Sequence, residues 1–489
     1  MRVLFVNPPW QDADRVGFRS NVRWPFTVTR DELARSGAAS YHFPIYQAYA
    51  LAVLEKAGYE VDAIDCTALD LSVDELLDRI AAFGPTLIVV EVSTPSFHID
   101  IETVRRVSEQ VSARIVLIGT HASVFHRELT AEYPFISAIA RGEYEYTLRD
   151  VARALEKGET FAGLAGVTCR NGDGDVVVGP DRPYIENLDE MPWPARDCFP
   201  WEKYHEPGYV ALPWITMISS RGCPSRCTFC NWPQTMYGHV YRTRSPGNVV
   251  DEMAYCVRKY EPGEIFFDDD TFTIGKKRVI DICNEIEGHG LDVVWTCMGR
   301  IDTVDAEVLQ RMGGAGCRKI KFGVETGSPV VMERIRKRID LDRVPEVFQS
   351  ARDAGIEVHG TFMIGLPGET RETVRETIEL ACSLPMDTVQ FSIATPFPGT
   401  EFFAECERNG WLVTRDWSHY DGRFGAVVSY PQLSKTEIEQ MLTMAEREYL
   451  DRTQRQTLLS KFIDTTRHHG LRHALRRTCD YLRTRTHRD

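Results

Sequence analysis

The run Arg221-Gly222-Cys223-Pro224-Ser225-Arg226-Cys227-Thr228-Phe229-Cys230 places three thiols on one short polar loop, in C-x3-C-x2-C spacing, directly after the apolar stretch Ile215 to Ile218. Three thiolates on such a loop hold three irons of a [4Fe–4S] cube and leave the fourth without a protein ligand, which opens that iron to chemistry. A zinc site is the competing structure, but it wants four closed ligands. The next candidate, His239, stands alone. The chain has 13 cysteines, an odd number scattered over a long sequence, which argues against a disulfide framework.

The elements that must position this loop read as two βα series. In the first ~150 residues, apolar runs at Val3 to Val6, Val61 to Ile64, Leu87 to Val92, Ile115 to Ile118 and Ile136 to Ile139 predict buried strands. Helical patterns separate them: Tyr46 to Ala57 ending at Gly58, a capping box at Ser72-Val73-Asp74-Glu75 ahead of Leu76, Leu77 and Ile80, and Ile99, Ile101, Val104, Val107 and Val111. Strands apolar throughout imply a parallel sheet covered on both faces, with ligands beyond the strands' carboxyl ends. No G-x-G-x-x-G follows the first strand, which disfavours a dinucleotide site. A hairpin at Val176 to Val178 with a Gly172-Asp173-Gly174 turn and a stiff Met191-Pro192-Trp193-Pro194 linker lead to the second series. Its strands are Ile215 to Ile218, Ile265 to Phe267, Val293 to Thr296, Lys319 to Gly323, Val358 to Ile364 and Val389 to Ile393, which fit a partial (β/α)6 barrel of the TIM type with chemistry at the carboxyl ends.

With these residues in view, the chain resembles the radical S-adenosylmethionine (SAM) enzymes, whose signature is C-x3-C-x-aromatic-C, here with Phe229. The resemblance implies that the open iron chelates SAM, which is cleaved by one electron to methionine and a 5′-deoxyadenosyl radical. It implies metal ligands at Cys223, Cys227 and Cys230. Further SAM contacts are implied at Asp268 and Asp269 after the second barrel strand, Arg300 after the third and Glu325 after the fourth. The turn Gly365-Leu366-Pro367-Gly368 after the fifth would lie along the adenine, with Gly365 and Pro367 as its contacts. Pro396-Phe397-Pro398-Gly399-Thr400 follows the sixth.

The amino-terminal residues resemble the cobalamin-binding domain of the cobalamin-dependent class of this family, methyltransferase-like (class B). The matching segments are Val6-Asn7-Pro8-Pro9, Arg23-Trp24-Pro25-Phe26, Gly119-Thr120-His121-Ala122-Ser123, Gly142-Glu143-Tyr144-Glu145 and the linker Ile185 to Pro192. Cobalamin contacts are implied at Asn7, Pro8, Ser93, Gly119, Thr120, His121, Ala122, Gly142 and Glu143. The domain lacks the D-x-H-x-x-G motif that gives cobalt a histidine, so His121 reads as a loop or amide contact and not a metal ligand. A flavodoxin-like domain without cofactor is the competing reading. Trp10 and Trp24 suit either a cofactor face or core packing, and Trp232 either shields the cluster or lines the substrate cavity.

The organisation expected is therefore a Rossmann-like or flavodoxin-like cobalamin-binding domain over 1–150, a hairpin and linker over 151–205, a radical SAM partial barrel over 206–405 and a helical region with a basic tail over 406–489. The expected activity is methyl transfer from SAM, through methylcobalamin, to an unactivated carbon of a small-molecule, natural-product or lipid-like substrate. The alternative is oxidative cyclisation or rearrangement without methylation, and a non-catalytic cobalamin or redox sensor is a third reading. An electron donor such as flavodoxin or ferredoxin is expected as a partner. A net charge of -14 argues against broad nucleic-acid binding. No apolar run reaches a membrane span and the amino-terminal apolar run is too short for a signal-peptide core, so a cytoplasmic protein is expected. Residues 452–489 carry ten Lys and Arg against three Asp, with Arg467, Arg472, Arg476, Arg477, Arg483 and Arg485 among them; this reads as a solvated helix face or a dock for anionic groups.

Overall fold

Apolar runs covered on both sides become the inner strands of two parallel sheets. The computed structural model describes residues 1–11, 14–19, 25–31, 42–205, 208–423 and 425–453. Arg23, Trp24 and the basic segment from Arg467 lie outside the described residues. In chain order the first strands are β1 (Arg2–Asn7), β2 (Arg15–Phe18), β3 (Phe26–Thr29), β4 (Glu60–Asp65), β5 (Leu87–Glu91), β6 (Arg114–Ile118), β7 (Ala138–Ala140), β8 (Val167–Arg170) and β9 (Val176–Val178). Seven of them form one sheet in the order β4-β1-β5-β6-β7-β8-β9. The first five of that order are parallel, and β8 and β9 are antiparallel additions.

Along β1, Val3 and Phe5 enter one core and Leu4 and Val6 the other, so period-two alternation points apolar groups to both faces. The order of the five parallel strands reverses between β1 and β5. This is the flavodoxin-like arrangement, whose crevice lies beyond the strand ends at the reversal. Asn7 ends β1 and Ser93 follows β5, so both flank that crevice.

The structure departs from the sequence expectation in four places. The hairpin of 167–178 is the edge of the first sheet and not a detached element. The β2–β3 hairpin was not expected. The fifth parallel strand sits at Ala138–Ala140, and Ile99 lies on the exposed side of its helix, Phe97–Gln110. The capping box holds as expected: Glu75 N–H donates to Ser72 Oγ (3.3 Å) and Ser72 N–H to the Glu75 carboxylate (2.8 Å).

The second sheet contains β10 (Trp214–Met217), then β13 (Glu264–Phe267), β14 (Val294–Gly299), β15 (Cys317–Glu325), β16 (Glu357–Ile364) and β17 (Thr388–Ile393), all parallel and in chain order. β10 and β17 are its edges, so the barrel is open. Between β10 and β13, the short strands β11 (Ser220–Arg221) and β12 (Arg242–Thr243) pair antiparallel and bracket the cysteine loop. Beyond β17, helices Glu401–Asn409 and Lys435–Thr453 close one side. The last helix lies along Arg371–Ser383 through the pairs Arg371–Glu437 and Arg375–Glu448. No helix among the described residues is long and apolar enough to cross a membrane.

Candidate active site

The cysteine loop leaves β11 at Gly222, whose φ of +79° is open to glycine, and a Cβ there would stand 2.4 Å from the Val240 carbonyl oxygen. Cys223 and Cys227 are buried thiols and Cys230 is half-buried. The Gln234 side-chain amide donates to the carbonyls of Cys227, Thr228 and Cys230, which holds the loop in a tight curl. Burial raises the Cys227 thiol pKa, and Lys337 and Arg300 oppose that rise. Among the described residues, no three His, Cys, Asp or Glu side chains converge as closely as a single metal ion needs. Three thiols with no fourth ligand suit three irons of a cube better than a zinc ion, which wants four closed ligands.

The structure sorts the expected SAM residues into different roles. Asp269 is fully buried and accepts from Ser219 N–H (2.7 Å), Ser219 Oγ and Ser220 Oγ (2.6 Å). Both its oxygens accept from serines of the segment between β10 and the cysteine loop, which ties the end of β13 to that segment. Asp268 sits beside it, its N–H donating to the Met217 carbonyl. Arg300 forks onto Asp302 (2.9 and 2.8 Å) and donates to the Lys337 carbonyl (2.9 Å); its remaining Nη1 is 4.0 Å from Cys227 Sγ.

Glu325 ends β15 at a register shift with φ of +73°, a conformation costly for a non-glycine residue and found where surroundings enforce it. The enforcing contact is a buried ion pair, Lys337 Nζ to Glu325 Oε1, at 2.7 Å. Gly323 makes room for it, since a Cβ there would fall 2.3 Å from Glu325 Oε1. Lys337 escaped the sequence reading because nothing local separates it from Arg336 and Arg338. Gly365 N–H and Leu366 N–H both donate to Glu369 Oε2 (2.6 and 3.0 Å), so a glutamate also missed in the sequence fixes the Gly365–Gly368 turn. Tyr430 OH donates to the Gly365 carbonyl from the carboxyl-terminal side.

On the first sheet, the crevice-lining side chains form a buried network. Gln47 donates to Asn7 Oδ1 (2.6 Å) and Glu91 Oε2 (2.8 Å), and Asn7 donates to Asp65 (3.1 Å). Burial raises Glu91 to about 7. Ser93 Oγ and Ser96 Oγ share a hydrogen bond, and Asp100 pairs with Arg19. Gly119, with φ of +104°, passes so close to β5 that a Cβ would meet the Val92 carbonyl oxygen at 2.6 Å. Thr120 and Ala122 follow it, buried. His121 is stacked on Phe97 (4.4 Å), flanked by Phe125 and Trp417, and contacts Thr94 Oγ1 (3.2 Å). Burial lowers its pKa to about 3, so it is neutral.

Trp10 lies against Gly17 of the unexpected hairpin, which favours its core-packing reading. Trp232 packs edge-on to Tyr46 and Tyr237 within the first domain's core.

Glu143 is held by partners from the second half of the chain. Its carboxylate accepts from Arg221 (2.7 Å), Arg242 (2.8 Å) and the Ile185 N–H (2.7 Å), so it faces the barrel domain. The two loop sets nevertheless meet. Gly399, after β17, is wedged where a Cβ would lie 2.5 Å from Val124 Cγ2 of the first domain and 2.7 Å from Thr235 Cγ2, just after the cysteine loop. A cysteine loop at a barrel mouth, abutting a flavodoxin-like crevice, defines a radical SAM enzyme with a second cofactor domain.

Comparison with known proteins agrees. Residues 217–381 match the radical SAM superfamily and residues 34–152 the B12 binding domain. The chain is 34% identical over 430 residues to an uncharacterized methyltransferase of Pyrococcus horikoshii, covering 87% of this chain and 91% of that one. It is 28% identical over 417 residues to an anaerobic magnesium-protoporphyrin IX monomethyl ester cyclase of Rubrivivax gelatinosus, covering 83% and 70%. Its fold matches the radical SAM methyltransferase TsrM from Kitasatospora setae, solved with cobalamin and a [4Fe–4S] cluster, at a TM-score of 0.69 and 19% identity over 92% of this chain and 88% of that one. The chain belongs to the cobalamin-dependent radical SAM family, and its cofactors are a [4Fe–4S] cluster, SAM and cobalamin.

Proposed function

We propose that this enzyme transfers a methyl group from SAM to an unactivated carbon of a small molecule. The observation that carries the reading is the junction at Gly399, Val124 and Thr235, where the loop after β17, the helix after β6 of the first sheet and the segment after the cysteine loop meet. Two reactive centres facing one cavity are what a radical followed by a methyl donor requires.

When bound, the cluster and SAM would supply radical chemistry and cobalamin would carry the methyl group. Cys223, Cys227 and Cys230 would hold the three liganded irons. Lys337 and Arg300 favour the thiolate of Cys227 against its burial. Asp268 and Glu325 would bind SAM's ammonium group, Arg300 Nη1 its carboxylate, and the Gly365–Pro367 turn its adenine. Asn7, Ser93 and His121 have side chains committed internally. Contacts to the corrin at Asn7, Pro8, Ser93, Gly119, Thr120, His121, Ala122 and Gly142 are then made chiefly by backbone groups. A flavodoxin or ferredoxin supplies the electron.

The cyclase relative supports a second reading, oxidative cyclisation without methylation. Anaerobically reconstituted protein with SAM and a strong reductant separates them. Cobalamin-dependent S-adenosylhomocysteine together with 5′-deoxyadenosine supports methyl transfer, whereas 5′-deoxyadenosine alone supports the second reading.

A further inference from the structure

Between the two sheets lies a buried lattice of charge that neither cofactor site explains. Arg221 is 1% exposed and precedes Gly222-Cys223. It donates to Glu143 Oε1 at 2.7 Å, stands 2.7 Å from Glu145 Oε1, and is enclosed by the rings of Tyr46, Tyr49 and Tyr237 at 5.2–5.4 Å. Arg242, its partner across the β11–β12 ladder, shares the same Glu143 carboxylate. A second node lies alongside: Glu252 binds Arg196 (2.6 Å) and Arg244, and Arg244 reaches Tyr49 OH (3.3 Å). Tyr46, Tyr49, Glu143 and Glu145 come from the cobalamin side, and Arg221, Arg242, Arg244 and Glu252 from the barrel side.

Burying this many charges is a poor way to gain stability, because desolvation offsets much of the attraction. An apolar interface would bind the domains more simply, but it is non-directional and tolerates sliding. Planar guanidinium forks on a shared carboxylate fix register and angle. The path is also short. Gly142, just beyond the carboxyl end of β7, adjoins Glu143, and Arg221, the partner of Glu143, stands two residues before Cys223.

We propose that Glu143, with Arg221 and Arg242, is a positioning device that sets the spacing between the cobalamin crevice and the cluster loop. The carboxylate holds together two neighbouring guanidiniums that would otherwise repel, and so pins the cysteine loop to the first domain. This rests on the two-cofactor reading but not on methyl transfer.

The test is pulsed dipolar EPR on holoprotein with the cluster reduced and cobalamin in its cob(II) state, which reports the distribution of cobalt–cluster distances. Wild type gives one narrow distribution. Glu143→Gln, with both cofactors retained, shifts or broadens it by about 1–2 Å, the scale of slips at packed interfaces. An unchanged distribution overturns the proposal, and so does selective loss of cobalamin, which would make Glu143 a corrin ligand. Should Glu143→Gln not fold, Arg242→Lys decides: it keeps the charge but removes the fork, so a broadened distance supports the device and an unchanged one refutes it. A wild type that forms no S-adenosylhomocysteine defeats methyl transfer and leaves this distance measurement intact.

Discussion

Replacing Glu369 with Gln gives a pH-dependent effect whose size follows from its surroundings. Glu369 is fully buried; one oxygen accepts two backbone N–H groups and the other has no partner. Burial, only partly opposed by those two donors, raises its pKa to about 8. The folded protein therefore keeps this carboxyl protonated at pH 6, while the unfolded chain ionises it above about 4.3. A raised folded pKa means stability that is present at low pH and lost as pH climbs to about 8, at about 1.4 kcal/mol per unit. From pH 6 to pH 8 the loss is about 2 kcal/mol, levelling off as the folded pKa is reached.

Glu369→Gln mimics the protonated acid, keeps both backbone hydrogen bonds through its amide oxygen, and has no such slope. Urea unfolding at pH 6 and pH 8, followed by amide exchange at residues 365–370 because a two-domain chain need not unfold in one step, compares the two proteins. The stability of wild type relative to the variant is expected to fall by about 2 kcal/mol between the two pH values. A difference that stays constant would show that Glu369 is ionised in the fold, and would refute the burial reasoning.

Other perturbations test the site itself. Cys227→Ala should abolish the cluster's absorbance and all SAM cleavage; a variant still producing 5′-deoxyadenosine contradicts the ligand assignment. Arg300→Ala should weaken SAM binding about 10–100-fold, the worth of a charge-assisted hydrogen bond, while iron content stays near normal. Iron lost along with SAM affinity would make Arg300 a support of the Cys227 loop. Gly399→Ala forces a methyl between Val124 and Thr235 at a φ of +87°, an overpacking cost of about 1–3 kcal/mol. It should reduce cobalamin retained after gel filtration and leave iron unchanged; full retention would mean that junction does not shape the crevice.

Much of the fold was legible because parallel strands covered on both faces are written as unbroken apolar runs, such as Leu87 to Val92 and Ile115 to Ile118. The cysteine loop was legible because its chemistry lies within ten residues. The β2–β3 hairpin was not, since Arg15-Val16-Gly17-Phe18 is too short to show a period and gains its place from Trp10 packing on Gly17. Roles set by distant partners were also hidden. Asp268 and Asp269 look alike in sequence, and only the fold shows that Ser219 and Ser220, some fifty residues earlier, donate to Asp269. Glu143 follows β7 of the first sheet, yet its partners lie 78 and 99 residues away.

The most direct test of methyl transfer supplies SAM bearing a deuterated methyl group to the reconstituted holoprotein under reducing conditions, and then analyses the extracted cobalamin by mass spectrometry. Cobalamin carrying the deuterated methyl is expected, and Cys227→Ala should still bind cobalamin while losing 5′-deoxyadenosine formation. Unlabelled cobalamin from wild type that nonetheless produces 5′-deoxyadenosine would contradict methyl transfer and leave a radical enzyme of the non-methylating kind.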